Sequence, residues 1–300
     1  MNDLFKIKID TPFSTHFMQS WSESIHASLA MTRADSFFQV RDLWGRSVLV
    51  YIPFLSYTDL TPAAASSLAH SAKNNLFRIR FLSPEYPAQT GDPVVSRLLL
   101  NSSSGEKLWE SITSETRNRV RRAIKYGLSA RITRLELSLG EFYKLYTETQ
   151  SQLGVPVLPK VFFYHLAERC ETVLITIYYG NKLLACALQV KDRHLAWIPW
   201  ICSSADGRGY ASSDFMYWKL ILNALDEGIE LLDFGRSAKG YGVYHFKQKW
   251  GCMAIPVVTL GASSTSIYEK YSFAQKAWSK IPLLITTNLS KKLVSRLPDL

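Results

Sequence analysis

Between Leu231 and Gly251 the chain reads LLDFGRSAKGYGVYHFKQKWG. Gly235, Gly240, Gly242 and Gly251 are interleaved there with the cations Arg236, Lys239, Lys247 and Lys249 and the rings Tyr241, Tyr244, Phe246 and Trp250. Glycine lets backbone approach a ligand closely, and fixed cations meet anionic or developing negative charge. A plain connector needs neither at this density. Asp233 and His245 are candidate acid–base groups, with a strand-end acid and a structural histidine as the alternatives. Tyr241 and Tyr244 line an acceptor pocket or pack the loop, and Trp250 roots the segment in the core. Asp233-Phe234-Gly235 mimics the kinase metal triplet, but no glycine-rich loop or H-R-D accompanies it.

These residues must be held by regular elements. The apolar run from Ile229 to Phe234, broken by Glu230 and Asp233, predicts the strand that enters the segment. Upstream, Phe17, Trp21, Ile25 and Leu29 mark a helix. Phe37–Val40 and Val48–Phe54 predict a hairpin around Asp42-Leu43-Trp44-Gly45, a helix opens at Pro62, and a strand spans Phe77–Leu82. The second half repeats this order. A helix starts at the capping box Ser138-x-x-Glu141 and another at Pro159. A hairpin follows around Gly180-Asn181, then a strand over Leu195–Ile201 and a helix over Asp214–Leu225. Helix, hairpin, helix, strand, twice over, predicts two similar α/β halves. The expected divisions are 1–104, a basic connecting helix and strand at 105–136, a second half at 137–262 bearing the site, and a basic helical tail at 263–300.

The charge is uneven. The net +10 includes seven basic residues and no acid from Arg117 to Arg134. Arg117, Arg121 and Lys125 fall at i, i+4 and i+8, opposite a stripe of Ile112, Thr116, Val120 and Ala123, with Gly127 as the C-terminal cap. Like charges one turn apart repel, so an anionic partner would explain the row. Arg119, Arg122 and Lys125 are candidate substrate-binding cations, on a polyanion or a solvated cationic face. In the tail, Leu289, Leu293 and Leu297 recur every fourth residue among Lys291, Lys292 and Arg296. That pattern fits either a peripheral membrane contact through 282–300 or a helix packing its leucines inward.

A hydrophobic share of 47% predicts a globular chain, and no apolar run approaches the ~20 residues of a membrane helix. The N-terminus lacks a secretory pattern, and the four cysteines lack metal or disulfide spacing, so a cytoplasmic protein with reduced thiols is expected, with no metal.

Trp109 followed by Arg117-Asn118-Arg119-Val120-Arg121-Arg122-Ala123-x-Lys125-x-Gly127 resembles the basic helix of FemAB-type proteins. Leu153-Gly154-Val155-Pro156, Phe162-Phe163, Asp233-Phe234-Gly235-Arg236-Ser237 and Phe246-Lys247-Gln248-Lys249-Trp250-Gly251 follow in the order that family shows. The likeness is to the branch associated with exopolysaccharide loci and PEP-CTERM sorting. It implies an α/β fold of two tandem GNAT-like halves, each a mixed, mainly antiparallel sheet flanked by helices. It also implies an acyl- or aminoacyl-transferase forming an amide on a cell-envelope or exopolysaccharide precursor. Lys247, beside Phe246, falls where relatives steady the oxyanion. Arg236 and Ser237 would bind substrate phosphate or carboxylate, since a guanidinium grips both bidentately.

No cofactor is implied beyond the acyl donor, which is aminoacyl-tRNA or acyl-CoA. CoA-using GNAT enzymes cradle pyrophosphate in a [Q/R]-x-x-G-x-[G/A] loop. Here that loop reads Asp206-Gly207-Arg208-Gly209-Tyr210-Ala211, an acid in the first place, which disfavours CoA. The implied partner is an anionic substrate, a phosphorylated glycan or lipid-linked precursor, with tRNA as a further one. A CoA-dependent N-acetyltransferase is one alternative. An inactive module binding nucleic acid or membrane is the other, although no nucleic-acid reader motif is evident.

Overall fold

A computed structural model describes residues 13–29, 31–34, 37–42, 45–55, 57–58, 60–72, 76–100, 104–261 and 275–297. Leu43 and Trp44 of the first hairpin turn, Asn101–Ser103 of the polar break and the N-terminal residues lie outside these.

In chain order the elements are α1 (Thr15–Leu29), β1 (Thr32–Ala34), β2 (Phe37–Arg41), β3 (Ser47–Val50), α2 (Pro62–Ser71), β4 (Leu76–Leu82) and β5 (Pro93–Leu99). There follow α3 (Gly105–Ser111), α4 (Ser114–Lys125), β6 (Leu128–Arg134), α5 (Leu135–Gln152), α6 (Lys160–Arg169), β7 (Thr172–Tyr179), β8 (Lys182–Asp192) and β9 (Leu195–Ser203). A 3-10 turn (Asp206–Tyr210), α7 (Ser212–Asp226), β10 (Leu231–Ala238), α8 (Gly242–Gln248), β11 (Met253–Gly261) and α9 (Leu283–Leu293) complete it. The fold is mixed α/β, in two units built alike.

In one unit β1, β2 and β3 form an antiparallel meander, β3 runs parallel to β4 across helix α2, and β4 pairs antiparallel with β11. In the other, β7, β8 and β9 form the meander, β9 runs parallel to β10 across α7, and β10 pairs antiparallel with β5. The parallel pair needs a helical crossover, which is why α2 and α7 sit at equivalent places. Each unit takes its last strand from outside its own run of sequence.

That exchange redraws the expected divisions. One unit gathers 88–149 and 171–255, and the other gathers 12–87, 150–170 and 256–300. Residues 105–136 are therefore no connector. Leu108, Ile112, Val120, Ala123 and Leu128 are buried with Phe215, Leu220, Leu232 and Phe234 in one core. Helix α6 belongs with α1: Trp21 meets Phe162 edge-on at 5.3 Å, and Ser24 Oγ donates to the His165 carbonyl at 3.2 Å.

The second half of the Val48–Phe54 strand does not form, because Ile52 and Phe54 take left-handed backbone (φ 47° and 62°) that a pleated strand cannot accommodate. At Ser138 the helical backbone breaks (φ −131°), and Glu141 accepts from the Tyr178 hydroxyl at 2.9 Å instead of closing a capping box. Among the described residues no helix is long and apolar enough to cross a membrane, and no group of three His, Cys, Asp or Glu side chains is placed to hold a metal.

Candidate active site

The site grows from a fault between two strands. β9 and β10 pair in parallel only at Leu195–Leu231, Ala196–Leu232 and Trp197–Asp233, although β9 continues to Ser203 and β10 to Ala238. Beyond that point each strand keeps its outer partner, β8 or β5, so their facing edges carry backbone donors and acceptors with no strand of the described residues between them. Such an edge can bind an extended acyl or amide group.

Sequence chemistry makes the fault. The register of β10 against β5 shifts between Asp233 and Arg236, and Gly235 inside the bulge has φ +71°. A Cβ there would stand 3.3 Å from the Ile198 carbonyl oxygen. Asp233 fixes the bulge from inside: its Oδ1 accepts the Gly235 N–H at 2.7 Å, and its Oδ2 accepts from Arg97 Nε at 2.9 Å. Both side chains of that ion pair are fully buried. Asp233 is thus no acid–base catalyst, because it has no surface with which to meet substrate; it positions Gly235.

Lys247 grips the same bulge from α8. Its Nζ donates to the carbonyls of Gly235 (2.9 Å) and Arg236 (3.2 Å), and the residue is only 3% exposed. An ammonium has three protons, so one remains beyond these two bonds. Burial draws the ammonium down to about 8, against the opposing field of Asp233; Arg236 adds to the depression. Burial also pushes the Cys252 thiol up, so that sulfur stays protonated.

The rings are mostly foundations. Tyr217 of α7 stacks on Phe234 (4.8 Å) and Trp250 (5.7 Å) and meets Phe246 edge-on (4.9 Å). Trp250 is buried as expected, while Phe246 is half-buried and packs into this cluster. Tyr241 is exposed, and Tyr244 lies edge-on to His245 at 5.3 Å. His245 Nε2 lies 3.0 Å from the Gly240 carbonyl, so the histidine closes the α8 entry turn rather than facing Lys247's carbonyls. Arg236 is half-buried, and Ser237 beside it has a buried hydroxyl with no hydrogen-bond partner among the described residues.

The basic helix α4 braces the other wall. Arg119 Nε donates to Asp214 Oδ2 (2.9 Å) in the first turn of α7, and Arg122 Nη2 donates to the Gly209 carbonyl (3.2 Å). Burial raises the Asp214 carboxyl, and Arg119 opposes this. Arg117 ends α3 by donating to the carbonyls of Trp109, Glu110 and Ile112. Arg121 covers the Trp109 ring at 5.4 Å, and Arg131 lies over Tyr178 at 4.9 Å. Lys125 is exposed and makes no ion pair among the described residues. Arg117, Arg119 and Arg122 therefore have partners within the unit, while Lys125 is left to solvent. Sequence reasoning missed these partners, and missed Arg97, because they come from α3, α7 and β5. Asp206, read as repelling pyrophosphate, pairs with Lys182. A surface cavity of about 700 Å³ lined by Trp109, Trp218, Glu106 and Glu110 lies in the same unit and includes no residue of the Asp233–Trp250 segment.

Residues 114–248 match the family model of the GNAT acetyltransferase domain. That span holds the parted strands, α4, α7 and Lys247, and is similar to a GNAT acetyltransferase domain. The fold around it is FemX-like. The crystal structure of FemX superposes with a TM-score of 0.59 at 12% identity, over 88% of this chain and 94% of that one. A C-terminal domain assigned to a lysylphosphatidylglycerol synthetase from Agrobacterium fabrum gives 0.55 at 11%, over 91% and 96%. L-PGS from Bacillus licheniformis gives 0.52 at 9%, over 96% and 99%. Among curated proteins none matches the sequence significantly.

Proposed function

We propose that the chain transfers an acyl or aminoacyl group to an amine on an anionic cell-envelope or exopolysaccharide precursor. The observation that carries this reading is the parting of β9 and β10 at the Gly235 bulge, with a buried lysine bonded to the bulge carbonyls. The acyl carbonyl would lie along the open strand edges. The amine nitrogen attacks it, the C–N bond forms, and the carbonyl electrons move to oxygen. The remaining proton of the Lys247 ammonium steadies that oxyanion. Collapse breaks the bond to the leaving oxygen or sulfur, which takes the proton the amine gives up. Arg236 is assigned the substrate's phosphate or carboxylate, with Ser237 and Tyr241 beside it. A fold shared with a lysylphosphatidylglycerol synthetase supports an aminoacyl donor such as aminoacyl-tRNA and a lipid-linked acceptor.

A CoA donor is the second reading. The Lys182–Asp206 ion pair favours it, because the acid that would repel a diphosphate carries its own counter-charge.

Incubation with acetyl-CoA or with charged tRNA, each alongside amine-bearing lipid-linked sugars, tests both by mass spectrometry of the acceptor. A new amide with either donor supports transfer and names the donor. Binding of acceptor with no amide from either donor would leave an inactive binding protein as the better account.

A further inference from the structure

Helix α9 is amphipathic the wrong way round for a helix packed on its own domain. Its inward row is Thr286, Ser290 and, just past its end, Val294, all buried. The hydroxyls are satisfied there: Ser290 Oγ accepts the Val157 N–H at 3.0 Å and donates to the Thr286 carbonyl, and Thr286 Oγ1 donates to the Leu283 carbonyl at 3.0 Å. The apolar side chains point out instead. Leu284 is 82% exposed, Ile285 50% and Leu289 41%. The expected stripe of Leu289, Leu293 and Leu297 is therefore not the buried face.

At 3.6 residues per turn Leu284, Asn288, Lys292, Ile285 and Leu289 share an arc of about 140°, while Leu293, Thr286, Ser290 and Leu283 fill the opposite side. The charge of this segment has one sign. Lys276, Lys280, Lys292 and Arg296 are all exposed, and residues 275–297 contain no Asp or Glu. Three protruding apolar side chains on a segment whose charges are all cationic complement an apolar layer lying under anions. A protein partner would need acids spaced to match; an anionic bilayer supplies them in any register. Lysine stems also run along apolar surface while their ammonium groups reach the headgroups.

We infer that α9 is a membrane-surface anchor that lies flat on anionic lipid with Leu284, Ile285 and Leu289 in the interface. This holds whichever acyl donor the site uses.

Flotation of the full chain with phosphatidylglycerol vesicles and with phosphatidylcholine vesicles tests it. Strong binding to the first, little to the second, and release at roughly 0.5 M salt are expected. Leu284→Glu/Ile285→Glu is expected to lower partition onto phosphatidylglycerol about tenfold or more with an unchanged melting temperature, since both side chains are already exposed. Transfer to a water-soluble acceptor should not change in that variant. Lys292→Glu/Arg296→Glu is expected to weaken binding and flatten its salt dependence. Unaltered vesicle binding by the leucine variant overturns the inference, as does a wild-type chain that stays with the buffer. A wild-type dimer that the leucine variant abolishes would make the face a contact between copies and would equally overturn it.

Discussion

Arg97 Nε and Asp233 Oδ2 stand 2.9 Å apart with neither side chain exposed, joining the middle of β5 to the point where β10 leaves β9. Removing one member of a buried pair strands a charge, which costs about 3–5 kcal/mol. Arg97→Met is expected to lose roughly that much in urea unfolding. Replacing both by apolar residues (Arg97→Met with Asp233→Leu) should recover much of the loss but not the activity, since Asp233 also holds the Gly235 amide. A double variant with wild-type turnover would show that the bulge needs no carboxylate.

Gly235→Ala tests the bulge directly. An L residue at φ +71° costs about 1–2 kcal/mol, and the new methyl would press on the Ile198 carbonyl at 3.3 Å. Turnover should fall by more than the loss of stability explains, because the strand edge that would bind the acyl group moves. Native kinetics in Gly235→Ala would remove the bulge from the site.

Much of this was readable in the chain. The hairpins at Asp42–Gly45 and Gly180-Asn181 and the helices after Pro62 and Pro159 follow from local turn and cap chemistry, so they emerge without tertiary information. The strand entering Asp233 and the burial of Trp250 were legible for the same reason. β5 and β11 were not, because each is defined by a partner far away in sequence, as Arg97 opposite Asp233 is. The choice between the two readings of Asp233 was closed for the same reason: a strand-end acid looks the same in sequence whether it meets solvent or a buried guanidinium. The partners of two α4 cations were hidden in the same way. Arg117 and Arg119 have partners on α3 and α7 that no i, i+4 pattern reveals.

Lys247 gives a pH signature. Its folded-state value of about 8 lies below its ordinary 10.5, so the unfolded chain holds more protons between the two and stability rises with pH across that window. Below about 8 the cost of burying the charge is fully present. Lys247→Met should therefore show its stability most favourably against wild type at neutral pH, with wild type gaining on it towards pH 10.5. Turnover should drop ~100-fold in Lys247→Met. In the wild type it should decline as pH rises through about 8, while Lys247→Arg, which stays charged, should lack that decline. Wild-type turnover in Lys247→Met would end the assignment, and a purely positioning role would leave no alkaline limb.

The turn that opens α7 offers a test of the donor. Lys182 neutralises Asp206 across this turn, and Arg122 holds its Gly209 carbonyl. With acetyl-CoA as donor, Lys182→Ala would leave the Asp206 carboxylate facing a diphosphate. Exposed pairs are weak, so calorimetric affinity should fall by no more than about fivefold and return in Lys182→Ala/Asp206→Ala. With charged tRNA as donor the same variants should have little effect. Affinity would then fall steeply with salt, and replacing Arg121 and Lys125 by Glu should flatten that slope. Acetyl-CoA binding that ignores both Lys182 and Asp206, together with a salt slope that ignores Arg121 and Lys125, would remove this turn and the adjoining helix α4 from donor recognition.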